Sequence, residues 1–182
     1  MKKLILLTLM ALTCFSQMRT VAGVAHGQYY NEVWKKWAEK KVNVSVDIHG
    51  DVYIKVEGNL GDISGVIAKN DLESFNGKLK KYEDWAFKAK QNQVEINKIL
   101  GDFMFEYHGK HGKRGVLLTF HSEQKGQVAR LIVDIIDYKN GFMKTKIYMV
   151  NKEINKLITM IEKAPETLKE LSNNKKKSDM FD

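Results

Sequence analysis

The chain has 182 residues with 30 Lys and Arg against 22 Asp and Glu, a formal net charge of +8. With 43% of residues hydrophobic, it holds enough apolar material for the core of one ordinary domain. Its single cysteine, Cys14, excludes an internal disulfide and a thiolate zinc cluster, and the basic balance suits acidic glycans, lipid headgroups or nucleic acid without demanding any of them.

Lys2 and Lys3 precede an apolar run from Leu4 to Phe15. About a dozen apolar residues behind a positive start is the pattern of a secretory signal, and is too short to span a bilayer. Cleavage is expected after Ala22 (Thr-Val-Ala) or Ala25 (Gly-Val-Ala), which makes 1–25 the leader. Either cut removes Lys2, Lys3 and Arg19 and no acid, lowering the charge from +8 to +5. It would also remove Cys14 and with it any cysteine nucleophile. A rival reading takes Ala11-Leu12-Thr13-Cys14 as a lipoprotein box with Cys14 acylated, although Ala11 and Thr13 depart from the usual residues there. No later stretch is apolar enough for a transmembrane helix.

In chain order, Tyr29 to Lys41 predicts a short helix with Val33, Trp34 and Trp37 near one face. Val42, Val44, Val46 and Ile48 alternate with polar residues, and so do Val52, Ile54 and Val56, the period of half-covered strands. Their apolar sets share a face if Ile48 lies opposite Val52, leaving His49, Gly50 and Asp51 as the turn. A third strand is expected at Ile63 to Ala68. Asn70 or Asp71 then caps a helix, with Glu73 placed for a capping box. Leu72, Phe75, Leu79, Tyr82, Trp85, Ala86 and Ala89 form its single apolar stripe. Gly77 weakens that helix by about 1 kcal/mol relative to alanine.

Four strands follow, at about Phe103 to His108, Val116 to Ser122, Gln127 to Tyr138 and Phe142 to Val150, with Asn140-Gly141 marking the last hairpin. The third of these carries apolar residues on both faces and belongs near a sheet centre. Asn151 caps a helix built on Ile154, Leu157, Ile158 and Ile161, and Pro165 ends or restarts it. The whole is an α+β domain over 26–171, a mostly antiparallel sheet of about six to seven strands with a C-terminal helix packed on it. Residues 172–182 read as a disordered basic tail.

The most suggestive segment is "FEYHGKHGKRGVLLTF", Phe105 to Phe120. Its glycines free backbone N–H groups, and Lys110, His111, Lys113 and Arg114 could surround a phosphate, sulfate or carboxylate. It is not a P-loop, because GxxxxGK[ST] is absent and a strand follows. The competing reading is a hairpin turn kept soluble by charge. His108 and His121 lie most of a strand apart, roughly 15–20 Å, and cannot share a metal. His26 would chelate copper only as a free N-terminus with a second placed histidine. No metal site, catalytic residue or cofactor is expected. There is no GxSxG elbow, and Asp134 and Asp137 point to opposite faces of a strand. Dispersed lysines without interleaved aromatics give no platform for nucleic acid, so none is expected as a partner.

Tyr82, Trp85, Ala89, Lys90, Asn92 and Val94 spell "YxxWxxxAKxNxV". With the strands and C-terminal helix that follow, this resembles a set of small secreted proteins of unknown function from gut Gram-negative bacteria. The resemblance implies an exported α+β domain, periplasmic or extracellular, and supplies no catalytic residues. The function expected is a non-catalytic domain that binds a protein or an anionic polymer of the envelope. The alternative is a secreted hydrolase-like enzyme assembled from dispersed His and Asp residues.

Overall fold

The computed structural model describes residues 19–57, 61–106, 113–137 and 143–178, and most of the expected leader, including Cys14, lies outside them. In chain order come strands β1 (Arg19–Asn31), β2 (Lys36–Asp47), β3 (Val52–Val56) and β4 (Ile63–Ile67), then a 3-10 turn (Lys69–Asp71) leading into helix α1 (Leu72–Gln91). Strands β5 (Ile96–Glu106), β6 (Lys113–Glu123), β7 (Val128–Asp137) and β8 (Met143–Met149) follow, then helices α2 (Asn151–Glu162) and α3 (Ala164–Ser178). All eight strands form one antiparallel sheet in the order β4-β3-β2-β1-β8-β7-β6-β5. The fold is the α+β class expected from the sequence, with a sheet larger than six to seven strands.

The differences lie in two places, an unexpected first strand β1 and a longer β5. The stretch expected as a helix, 29–41, instead forms the end of β1, a turn and the start of β2, with Tyr30 opposite Trp37 and Asn31 opposite Lys36. Lys36 to Lys41 pair back on Asn31 to His26, and the rest of β1 lies in residues assigned to the leader, where no strand was expected. Arg19 to Ala25 pair with Asp47 to Val42, and Ala25 is fully buried. At the other edge β5 begins at Ile96, well before Phe103. A bulge between Ile99 and Gly101 shifts the alternation by one, so that Lys98 and Gly101, three residues apart, lie opposite Phe120 and Leu118 while Ile99 stays 60% exposed.

Between β2 and β3 the parity argument holds but the turn is wider, with Val46 opposite Val52. The Asp47 carboxylate accepts from the amides of His49 and Asp51 at 2.9 and 3.0 Å and from the Tyr53 hydroxyl at 3.1 Å. An aspartate that binds its own turn in this way outcompetes two more ladder residues. Gly50, at φ +88°, completes it.

Helix α1 buries Phe75, Leu79, Tyr82 and Ala89, the expected stripe. Asp71 makes no side-chain cap, so the expected capping box is absent, and the preceding 3-10 turn starts the helix with the Asp71 amide on the Ala68 carbonyl. Asn151 is the first residue of α2, not its cap, and Val150 holds the cap position. Pro165 restarts the chain in α3, which stays helical through Ser178, past Ser172 where the tail was expected.

One core joins both halves of the sheet. β4 lies six strands away from β6 in pairing order yet packs across β6 and β7, so the sheet curls over its own apolar face. The crossing is made at Gly65, where a Cβ would sit 2.6 Å from the Gly115 carbonyl oxygen and from Val116 Cγ2. α1 packs on β5, β6, β7 and α2, while α2 and α3 pack on β1.

Candidate functional site

Of the residues expected to bind an anion, Lys110 and His111 lie outside the described residues, and Lys113 opens β6 opposite Glu106. Arg114 is well placed, but by the fold. Its Nε donates to the Ser64 carbonyl at 3.0 Å, a terminal nitrogen bonds the Ser64 hydroxyl, and Nε lies 3.3 Å from an Asp137 carboxylate oxygen. The guanidinium also sits 5.7 Å from the centre of the Tyr53 ring. Its side chain is 13% exposed and that of Asp137 is 12%. Arg114 thus fastens the edge strand β4 to β6 and β7. A new anion there must compete with a carboxylate already in place.

The histidines do not converge. His49 is exposed in the β2–β3 turn. His121, opposite Asn97 and Arg130, sits at the end of β6 remote from the basic loop. Its Nε2 lies 2.7 Å from Glu123, which also bonds Arg130 at 3.0 Å. Hydrogen bonds from His121 and then Arg130 hold the Glu123 carboxyl below its usual range. Asp134, buried on β7, has Lys144 at 3.5 Å. Among the described residues no group of three or more His, Cys, Asp or Glu side chains is placed to hold a metal ion.

His26 lines a cleft of about 220 Å³ with Gln28, Glu39, Tyr148 and Glu153. Its ring nitrogens lie 3.9 Å from Glu39 and 3.7 Å from Glu153. The His26 amide donates to Glu153 at 2.7 Å, and Lys156 contacts the same carboxylate at 2.7 Å. Burial pushes the Glu153 carboxyl up, but the bonds from Lys156 and the amide outweigh it and leave it lowered. Glu153 therefore ties β1 to the first turn of α2.

The feature that sequence reasoning missed is the far end of the β1–β2 hairpin. β3 pairs with β2 only as far as Val42, and β8 meets β1 at Gln28, so residues 29–41 project beyond the sheet. At the tip the Asn31 carboxamide oxygen accepts from the amides of Val33 and Trp34, both at 3.0 Å, and Lys35 adopts φ 50° to turn the chain back. The turn is ordered by these bonds and not by burial: Val33 is 82% exposed, Trp34 72% and Trp37 49%. Behind the tip Trp37 packs on Tyr30 at 5.2 Å and edge-on against Tyr148 at 5.0 Å, with Arg130 5.9 Å from its ring. Lys35, Lys36 and Lys41 are exposed around it, and Lys40 is half-buried. The available signal was Asn31 followed by apolar residues in a run of lysines, which reads equally as a capped amphipathic helix.

A shallower groove of about 210 Å³ runs between α1 and the edge strand β5, floored by Trp85, Ala89 and Phe120 and rimmed by Lys88 and Lys98. Lys88 pairs with Asp84 at 2.8 Å, and Lys98 lies 5.4 Å from the Trp85 ring. The residues of the "YxxWxxxAKxNxV" pattern fall on this helix and its exit, where Tyr82 and Trp85 pack on Phe120 of β6 while Lys90, Asn92 and Val94 are exposed. No protein-family model, curated protein or solved structure matches the chain.

Proposed function

We propose that the protein is an exported, non-catalytic domain that binds an anionic partner at the cell envelope, with the projecting β1–β2 hairpin as its principal contact. The observation that carries this reading is the hydrogen-bonded tip bearing Val33 and Trp34, both mostly exposed, among lysines 35, 36 and 41. Large apolar side chains held in water without a structural return mark a binding surface. Lys110, His111 and Lys113 remain a secondary basic element of the same proposal, with Arg114 as its structural anchor. The test is retention on immobilised dextran sulfate over a salt gradient. Replacing Lys35 and Lys36 with serine should lower the eluting salt concentration, and replacing Lys110 and Lys113 should lower it less. Retention that is absent, or indifferent to both replacements, refutes the reading.

Export also bears on processing. Cleavage after Ala25 would strip β2 of the partners it has at Arg19 to Ala25, whereas a cut before Cys14 leaves β1 whole. The proposal is therefore that processing falls upstream of Arg19, Cys14 being the one of the three sites that does so. Mass spectrometry of the exported chain decides it: an N-terminus at Gly23 or His26 overturns this.

A hydrolytic reading draws on the imidazole of His26 between Glu39 and Glu153. A turnover found on an ester or glycoside panel and lost in His26→Gln would favour it over binding alone.

A further inference from the structure

We infer that the partner of the hairpin tip is an anionic lipid bilayer, with Trp34 and Val33 seated at the hydrocarbon boundary. This rests on the anionic-partner reading above and names the partner. A soluble polyanion would need the lysines alone and would gain nothing from exposed Val33 and Trp34. A bilayer uses both, because apolar and aromatic side chains enter the interface while lysines meet anionic headgroups. The tip has that layering along its axis. Val33 and Trp34 are outermost, and Lys35 and Lys36 follow at once. The Tyr30–Trp37 pair is one step behind, an aromatic belt braced by Tyr148 and Arg130. Charge is complementary, since the tip itself carries Lys35 and Lys36 against Glu32. Glu32 sits 3.9 Å from Lys35 in a fully solvated pair that competes weakly with headgroup phosphates. The Asn31 bonds and the turned Lys35 backbone fix the tip in advance, so insertion demands little further ordering.

The layering makes a distinction among the lysines. At about 3.3 Å per residue, Lys41 stands roughly 20 Å behind the turn. That is beyond a Debye length of about 8–10 Å, so it feels little of the surface field.

The test uses the chain from Arg19 onward, which contains every buried core residue among the described residues. It is floated with vesicles of equimolar phosphatidylglycerol and phosphatidylcholine, and with phosphatidylcholine alone. Wild type should float with the anionic vesicles, with a blue shift of tryptophan emission that salt reverses. Trp34→Ser should weaken partition about tenfold or more. Lys35→Ser and Lys36→Ser should weaken it about fivefold each, and Lys41→Ser less than about twofold. Trp34 is 72% exposed, so unchanged thermal unfolding of Trp34→Ser confirms an intact fold. Undiminished flotation of Trp34→Ser overturns the inference, as does equal binding to neutral vesicles. No flotation with retention on dextran sulfate overturns the lipid assignment and leaves the anionic-partner reading standing. Failure of both overturns both. Dimerisation abolished by Trp34→Ser without flotation assigns the tip to a second copy and overturns the lipid partner.

Discussion

Arg114→Ala separates a clasp from a ligand site. The wild-type guanidinium and the Asp137 carboxylate are 3.3 Å apart with side chains only 13% and 12% exposed. Removing one partner of a fully buried pair costs roughly 3–5 kcal/mol. Residual solvent access lowers that to about 1–3 kcal/mol, while loss of the two bonds to Ser64 adds about 0.5 kcal/mol each. The expectation is about 2–4 kcal/mol lost. With a urea slope of about 2 kcal/mol per molar, the midpoint falls by about 1–2 M. A cycle with Asp137→Asn should show coupling of about 1 kcal/mol or more. Retention of the folded variant on dextran sulfate should be nearly unchanged, because Arg114 is already occupied. The reasoning is refuted if Arg114→Ala unfolds within about 0.5 kcal/mol of wild type and yet loses anion retention.

The crossing of β4 over β6 predicts opposite signs at two glycines. Gly65→Ala drives a Cβ to 2.6 Å from a backbone oxygen and should cost about 1–3 kcal/mol, whereas Gly77→Ala meets nothing within 4 Å on α1 and should stabilise by up to about 1 kcal/mol, both read by urea unfolding. Tyr82, 2% exposed and donating to the Ala129 carbonyl at 2.9 Å, has its phenol pushed up by burial from 10 to about 12. Its folded pKa is the higher, so the stability gained by keeping it neutral is present below pH 10 and lost as pH rises towards 12. Tyr82→Phe should cost about 1 kcal/mol at neutral pH and flatten the alkaline fall in stability, and an alkaline slope equal to wild type would refute this.

Much of the fold was legible because its periodicities are local. The alternating valines of β2 and β3 and the stripe of α1 carry their own period and end in the core as expected. What escaped broke that period or turned the chain through side-chain bonds. β5 between Ile96 and Asp102 hides behind a bulge that shifts the alternation by one residue. The β2–β3 turn is widened by Asp47, whose acceptance from two amides and a hydroxyl cannot be read from spacing. Of the candidate site, the basic loop was legible as charge. The engagement of Arg114 was not, because Ser64 reaches it only through the curl of the sheet, while Asp137 lies opposite it in the β6–β7 pair.

The misreading of 29–41 is of another kind, and bears on function. Val33, Trp34 and Trp37 recur at helical spacing, and a helix would have buried them against something. In the hairpin, Asn31 and Lys35 stabilise a turn in which the two largest tip residues contribute nothing to the core. Tyr30, Trp37, Tyr148 and Arg130 then brace the stem from behind, so the exposure is supported rather than incidental. Local rules that fail without a compensating gain in packing tend to fail at functional sites. The aromatic, lysine-ringed tip answers that pattern more completely than the basic loop, whose best-placed cation is already tied to the fold.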